Sequence, residues 1–126
     1  AIEKKLTAMN RAPFPCFLQV NTSHEAQKHG FALHEVLGAA QEIHASCPHL
    51  MLVGLMTMAA EGDDERAIVS CFRSLRELRD TLVKEGLPCH GLSMGMSGDY
   101  PLAVAEGATH VRIGSAVFSA PNKPIR

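Results

Sequence analysis

Three groups of residues in this sequence have the types and spacing that chemistry requires. Gly91-Leu92-Ser93-Met94-Gly95 has the G-x-S-x-G form that exposes a serine nucleophile on a sharp turn between strand and helix. Such a serine needs an acid and a histidine further along, and only Asp99, Glu106 and His110 follow it. Hydrolase folds spread those groups over later strands, which makes a small serine hydrolase built on Ser93 an alternative short of partners. His24-Glu25-Ala26-Gln27-Lys28-His29 comes close to H-E-x-x-H, but its second histidine falls at i+5. On a helix the two imidazoles then point about 140° apart and cannot share a metal. His44, Cys47 and His49 lie close together in sequence and lack a fourth ligand, so no metal site is expected.

The third group is a pair of loops. Ser93-Met94-Gly95-Met96-Ser97-Gly98-Asp99 and Val111-Arg112-Ile113-Gly114-Ser115 each bring glycine and hydroxyl residues just past an apolar run. Where such a loop opens onto a helix N-terminus, converging N–H groups and the helix dipole favour an anion. In α/β barrels the loops after the last two strands are the usual phosphate-binding pair. Neither G-x-G-x-x-G nor a Walker A lysine is present, so the anion need not belong to a nucleotide. Period two in His110-Val111-Arg112-Ile113-Gly114 puts His110, Arg112 and Gly114 on one face. That face is expected to look into the barrel mouth, where Arg112 takes either a carboxylate of the chain or a ligand acceptor as its partner.

The elements that must position these loops alternate along the chain. Strands are expected at Cys16–Val20, Leu50–Met58, Pro88–Ser93 and His110–Ile113. Helices are expected over Leu33–Ala45, Asp63–Lys84 and from Ser97 or Asp99 to Ala105, and the first ten residues resemble the tail of a helix ended by Arg11–Pro15. The longest helix carries Ile68, Cys71, Phe72, Leu75, Leu78 and Leu82 as one stripe, behind an acidic start. Repeated strand–helix units with continuous apolar strands mean a parallel α/β sheet covered by helices. Four such units are half of a (β/α)8 barrel, whose ordinary length is about 250 residues. Residues 1–126 are therefore expected to form a single partial barrel domain.

Composition narrows the function classes. Twelve Lys and Arg against 13 Asp and Glu give a net charge of −1, with no cationic field for a nucleic-acid backbone. The longest apolar runs, such as Leu50–Met56, are too short to span a bilayer, and no secretory signal opens the chain. Cys16, Cys47, Cys71 and Cys89 have no C-x-x-C spacing and are expected as free thiols in a reducing, cytoplasmic setting.

The quoted loops, taken with Val20-Asn21-Thr22-Ser23, Lys28-His29-Gly30 and Val53-Gly54-Leu55-Met56-Thr57-Met58, resemble the pyridoxal phosphate homeostasis proteins, the YggS/PROSC family. Their barrel is like the N-terminal domain of alanine racemase, and the matching stretches run in family order along the whole chain. The resemblance implies pyridoxal 5′-phosphate as cofactor and a non-catalytic role in holding and delivering it within vitamin B6 homeostasis. It implies that Ser97, Gly114 and Ser115 hold the phosphate, helped by backbone N–H groups from Arg112 through Ile113 to Ser115, with Met96 in the same loop as Ser97. Arg112 would face the pyridine nitrogen, and Asn21 would line the ring. An arginine there leaves the ring a weaker electron sink than the aspartate of aminotransferases does. The family's covalent lysine sits on its first barrel strand, which nothing here resembles; Lys4, Lys5, Lys28, Lys84 and Lys123 all fall outside strand interiors. Phe118-Ser119-Ala120-Pro121 also departs from the family's usual Phe-Gly. The chain thus resembles the C-terminal half of a family member, to be completed by the missing N-terminal half-barrel or by a second copy of itself. A racemase-like enzyme fragment is the other alternative; its second base would be Tyr100, the lone tyrosine, whose place at a helix start near the phosphate loop argues against that role.

Overall fold

The computed structural model describes residues 14–22, 30–59 and 64–112. Strand β1 is Phe14–Asn21, β2 is Phe31–Ala32, and a 3-10 turn over Leu33–Glu35 leads into helix α1, Val36–Ser46. Then follow β3 (Leu50–Met56), α2 (Glu65–Lys84), β4 (Gly91–Met96), α3 (Tyr100–Ala105) and β5 (His110–Arg112). All described strand pairings are parallel, in the order β2-β1-β3-β4-β5. This is the α/β sheet expected, and it corresponds to part of a (β/α)8 barrel.

Local chemistry explains where the helices begin and end. The Asp64 carboxylate caps α2 by accepting the Ala67 N–H at 2.9 Å. At the other end Gly86, with φ +88°, closes a Schellman turn in which Gly86 N–H reaches Val83 O and Leu87 N–H reaches Leu82 O. The apolar stripe of α2 buries Cys71, Phe72, Leu75 and Leu82. Phe72, Leu75 and Leu82 pack with Val36 and Ala40 of α1, Ala103 of α3, and Leu18, Val20, Leu52, Leu55, Leu92 and Met94 of the sheet. Glu106, just past α3, clamps that short helix to α2. It accepts Arg73 through both oxygens at 3.2 Å and lies 3.3 Å from Arg76. The Arg73 hydrogen bonds hold its carboxyl below the usual carboxylate range against the opposing effect of burial.

The face of the sheet turned away from the helices is thin. Gly54 of β3 lies opposite Gly91 of β4, and a Cβ on Gly91 would meet Phe17 Cε2 at 2.9 Å. The Phe17 ring uses the space left by that glycine and reaches His110 of β5, edge to face, with centroids 5.2 Å apart.

Several boundaries differ from the sequence reading. Pro15 belongs to β1 rather than to a turn, tolerated because β2 covers the strand only at Val20 and Asn21. The two-residue β2 carries too little pattern to be recognised, and it adds a fifth strand to the four expected. The strand expected at Pro88–Ser93 is displaced to Gly91–Met96. Its two glycines imitate a loop, yet Gly91 makes room for Phe17 and Gly95 makes room for Ala103. The first helix and the second strand end within two residues of expectation. The expected helix tail in the first ten residues lies outside the described residues, as do His24, Lys28 and His29.

Candidate functional site

The C-terminal ends of β1, β3, β4 and β5 come together at one end of the sheet. Met96 and Arg112 are register partners, so the loops that follow β4 and β5 leave from neighbouring strands at the same level. Ser97 lies half-buried in the turn after β4. Of the second loop, Ile113, Gly114 and Ser115 lie outside the described residues. Asn21 is the last residue of β1, half-buried and in register with Ala32.

Arg112 and His110 share the face turned from the helices, as period two requires. Arg112 reaches from β5 past β4 and donates from Nη2 to the carbonyl of Thr57, just beyond β3, at 3.2 Å. Among the described residues no carboxylate pairs with it, and its Nε is buried without a hydrogen-bond partner. A buried N–H donor of this kind calls for an acceptor. An aromatic ring nitrogen supplies one lone pair in a plane, which suits a single guanidinium N–H.

The Met96 N–H donates to Asp99 Oδ1 at 2.7 Å, and the Asp99 N–H returns to Met96 O at 3.1 Å. The Asp99 carboxylate satisfies the backbone of its own turn.

Ser93 lies inside β4, buried, with its carbonyl accepting the Thr57 N–H at 3.1 Å. It does not stand on a strand-to-helix turn, and the Nδ1 of neighbouring His110 is engaged by the Thr109 hydroxyl at 2.8 Å rather than by an acid. The elbow geometry that a serine hydrolase requires is absent. Tyr100 begins α3 with its side chain exposed, and Lys84 is exposed at the end of α2. No group of three metal-ligating side chains is assembled among the described residues, and no helix among them is long and apolar enough to cross a membrane.

Two threonines went unread as site residues. Thr22 and Thr57, 3% and 1% exposed, join their hydroxyls at 2.8 Å directly behind the carbonyl that holds Arg112. The available signal was a hydroxyl residue just past each of two apolar strand runs.

A parallel sheet covered by helices, with polar side chains at its C-terminal strand ends and an arginine reaching across them, defines part of an α/β barrel of the alanine racemase type. The chain belongs to the family "Alanine racemase, N-terminal domain", which it matches over residues 2–121. It is 43% identical over 105 residues to a human pyridoxal phosphate homeostasis protein, covering 80% of this chain and 38% of that one. A relative of the same name from Haemophilus influenzae is 41% identical over 116 residues, covering 90% and 48%. Among solved structures, PipY of Synechococcus elongatus with PLP bound superposes with a TM-score of 0.79 at 29% identity, over 93% of this chain and 54% of that one. The chain therefore spans about half the length, or less, of the proteins it matches.

Proposed function

We propose that this chain is a pyridoxal 5′-phosphate binding module of the B6-homeostasis type, without catalytic turnover, acting in the cytoplasm and supplying the phosphate-binding side of the cofactor site. The buried, unpartnered Nε of Arg112 carries the reading, because it presents a fixed donor where a ring nitrogen would lie. Ser97, Gly114 and Ser115 would hold the phosphate together with the N–H groups of Arg112 and Ile113, and Asn21 would border the ring. Met96 shapes the loop through its bond to Asp99. When bound, the cofactor supplies a reactive aldehyde on an electron-withdrawing ring. The role of this chain's residues is to hold and orient it. The Arg112 guanidinium would donate to the ring nitrogen, which would keep a proton off that atom and restrain the ring's electron withdrawal. The relatives named for pyridoxal phosphate homeostasis and the PLP-bound PipY support this cofactor.

Residues 1–126 then form one partial barrel domain, completed by an N-terminal half-barrel or by a second copy of the chain, with no nucleic-acid or membrane partner. The test is calorimetric titration of the full chain with pyridoxal phosphate. Saturable binding is expected, competed by inorganic phosphate, weakened about fivefold by Ser97→Ala and far more by Gly114→Leu. Absence of saturable binding overturns the proposal. So does a stoichiometric adduct on Lys28 that survives borohydride, since Lys28 would then be a covalent residue.

A further inference from the structure

The Arg112 guanidinium is fixed only as firmly as the carbonyl it donates to, and that carbonyl belongs to a residue beyond the end of its strand. The last register pair between β1 and β3 is Gln19 with Met56. Past it the ladder stops and a side chain takes over: the Thr57 hydroxyl donates to Val20 O at 2.7 Å. Having given its one proton there, Thr57 Oγ1 must accept the proton of the Thr22 hydroxyl at 2.8 Å. Thr22 is tied in turn to α2, where the Cys71 thiol lies 3.5 Å from the Thr22 carbonyl. On the other side the Thr57 N–H donates to Ser93 O at 3.1 Å. Thr57 is therefore held directly from β1 and β4, and through Thr22 from α2, and its carbonyl oxygen receives Arg112. Valine would fill the same space, and two buried hydroxyls are worth keeping only for the bonds they make.

We infer that Thr57, locked by Thr22, is the positioning residue that aims Arg112 into the cofactor mouth. This rests on the proposed cofactor reading, since the ring nitrogen is the acceptor in view. Thr57 touches no ligand itself; it sets the direction of the guanidinium and leaves Nε free for an acceptor.

Two measurements on the full chain test this. In the first, pyridoxal phosphate, pyridoxal and inorganic phosphate are titrated into wild type, Thr57→Val, Thr57→Ser and Thr22→Val. Thr57→Val is expected to weaken pyridoxal phosphate and pyridoxal about five- to tenfold and to leave inorganic phosphate within twofold. Thr57→Ser should restore binding, and Thr22→Val should fall between. In an Arg112→Gln background Thr57→Val should have no further effect. In the second, the Arg112 Nε–H resonance is followed by NMR without cofactor; Thr57→Val should shift it and speed its solvent exchange, and Thr57→Ser should return it. Equal losses for phosphate and pyridoxal, an undiminished penalty in the Arg112→Gln background, or an unmoved Nε–H would overturn the inference. If wild type binds no pyridoxal phosphate, the cofactor reading fails, while the NMR arm still decides whether Thr57 holds Arg112.

Discussion

Replacing glycine by alanine adds one methyl group, and at three glycines of this chain the same change should have three different outcomes. At Gly54 a Cβ would lie 2.2 Å from the backbone oxygen of Gly91 and 2.5 Å from its carbon. A carbon rests against such an oxygen at about 3.3–3.6 Å, so β3 and β4 would have to part by roughly 1 Å. Those two strands pair only through Gly54–Gly91, Leu55–Leu92 and Met56–Ser93. The cost should reach or pass the top of the overpacking range, about 3 kcal/mol, or roughly 12 °C in Tm for a chain of this size. At Gly91 the new methyl meets Phe17 Cε2 and Val53 O, both at 2.9 Å. The Phe17 ring can swing away at the expense of its contact with His110, and about 1–2 kcal/mol should be lost. Gly38, inside α1, has nothing within 4 Å, and alanine there removes only backbone freedom. A gain of about 0.5–1 kcal/mol is expected. Thermal and urea unfolding of the full chain, followed by far-ultraviolet circular dichroism, would rank the variants. A Gly54→Ala protein as stable as wild type, or a destabilised Gly38→Ala, would refute the packing described for this sheet.

Two further outcomes follow from the ionisable groups. Because the carboxyl of Glu106 is lowered in the folded state, its stabilising effect is complete above its unfolded pKa of about 4.5 and fades as pH falls below it. Glu106→Gln should therefore be less stable than wild type at neutral pH, with the gap closing in acid urea titrations, and a gap independent of pH would contradict the clamp. Burial, and then the neighbouring Cys16, push the Cys89 thiol up to about 11. At pH 8 roughly one molecule in a thousand carries that thiolate, so iodoacetamide should label the half-buried Cys47 well before Cys89, and mass spectrometry of the labelled peptides would show the order.

The parts legible in the sequence are those with a long period or a tight local rule. Twenty residues of α2 repeat their apolar stripe five times over, and Asp64 and Gly86 mark its ends, so its extent was readable. His110 and Arg112 needed only alternation to be placed on one face. What escaped depends on partners distant in sequence. The placement of β4 turns on Phe17 filling the space at Gly91, 74 positions away, and nothing local distinguishes such a glycine from a turn. The extra strand at Phe31–Ala32 exists only because the end of β1 lies beside it. The threonine pair is likewise invisible, since a hydroxyl after an apolar run signals an end, and only the fold brings two such ends to 2.8 Å.

Between Cys16 and Phe17 the pairing of β1 with β3 slips by one residue: Cys16 stands opposite Leu52, Phe17 opposite Gly54, and Val53 is the extra residue. That single residue is a phase corrector. Upstream of it Leu52, and downstream of it Leu55 and Thr57, are all buried, although strict alternation would turn Leu52 and Leu55 to opposite faces. Drawing Val53 into a regular ladder would invert the facing of everything from Gly54 onward, sending Leu55 out of the core and the Thr57 hydroxyl away from Val20. Removing Val53 altogether would instead leave Leu52 and Leu55 two positions apart, on one face, with the pairing to Cys16 and Phe17 unbroken. The polarity of a whole strand end, and with it the anchor of Arg112, is counted from this bulge.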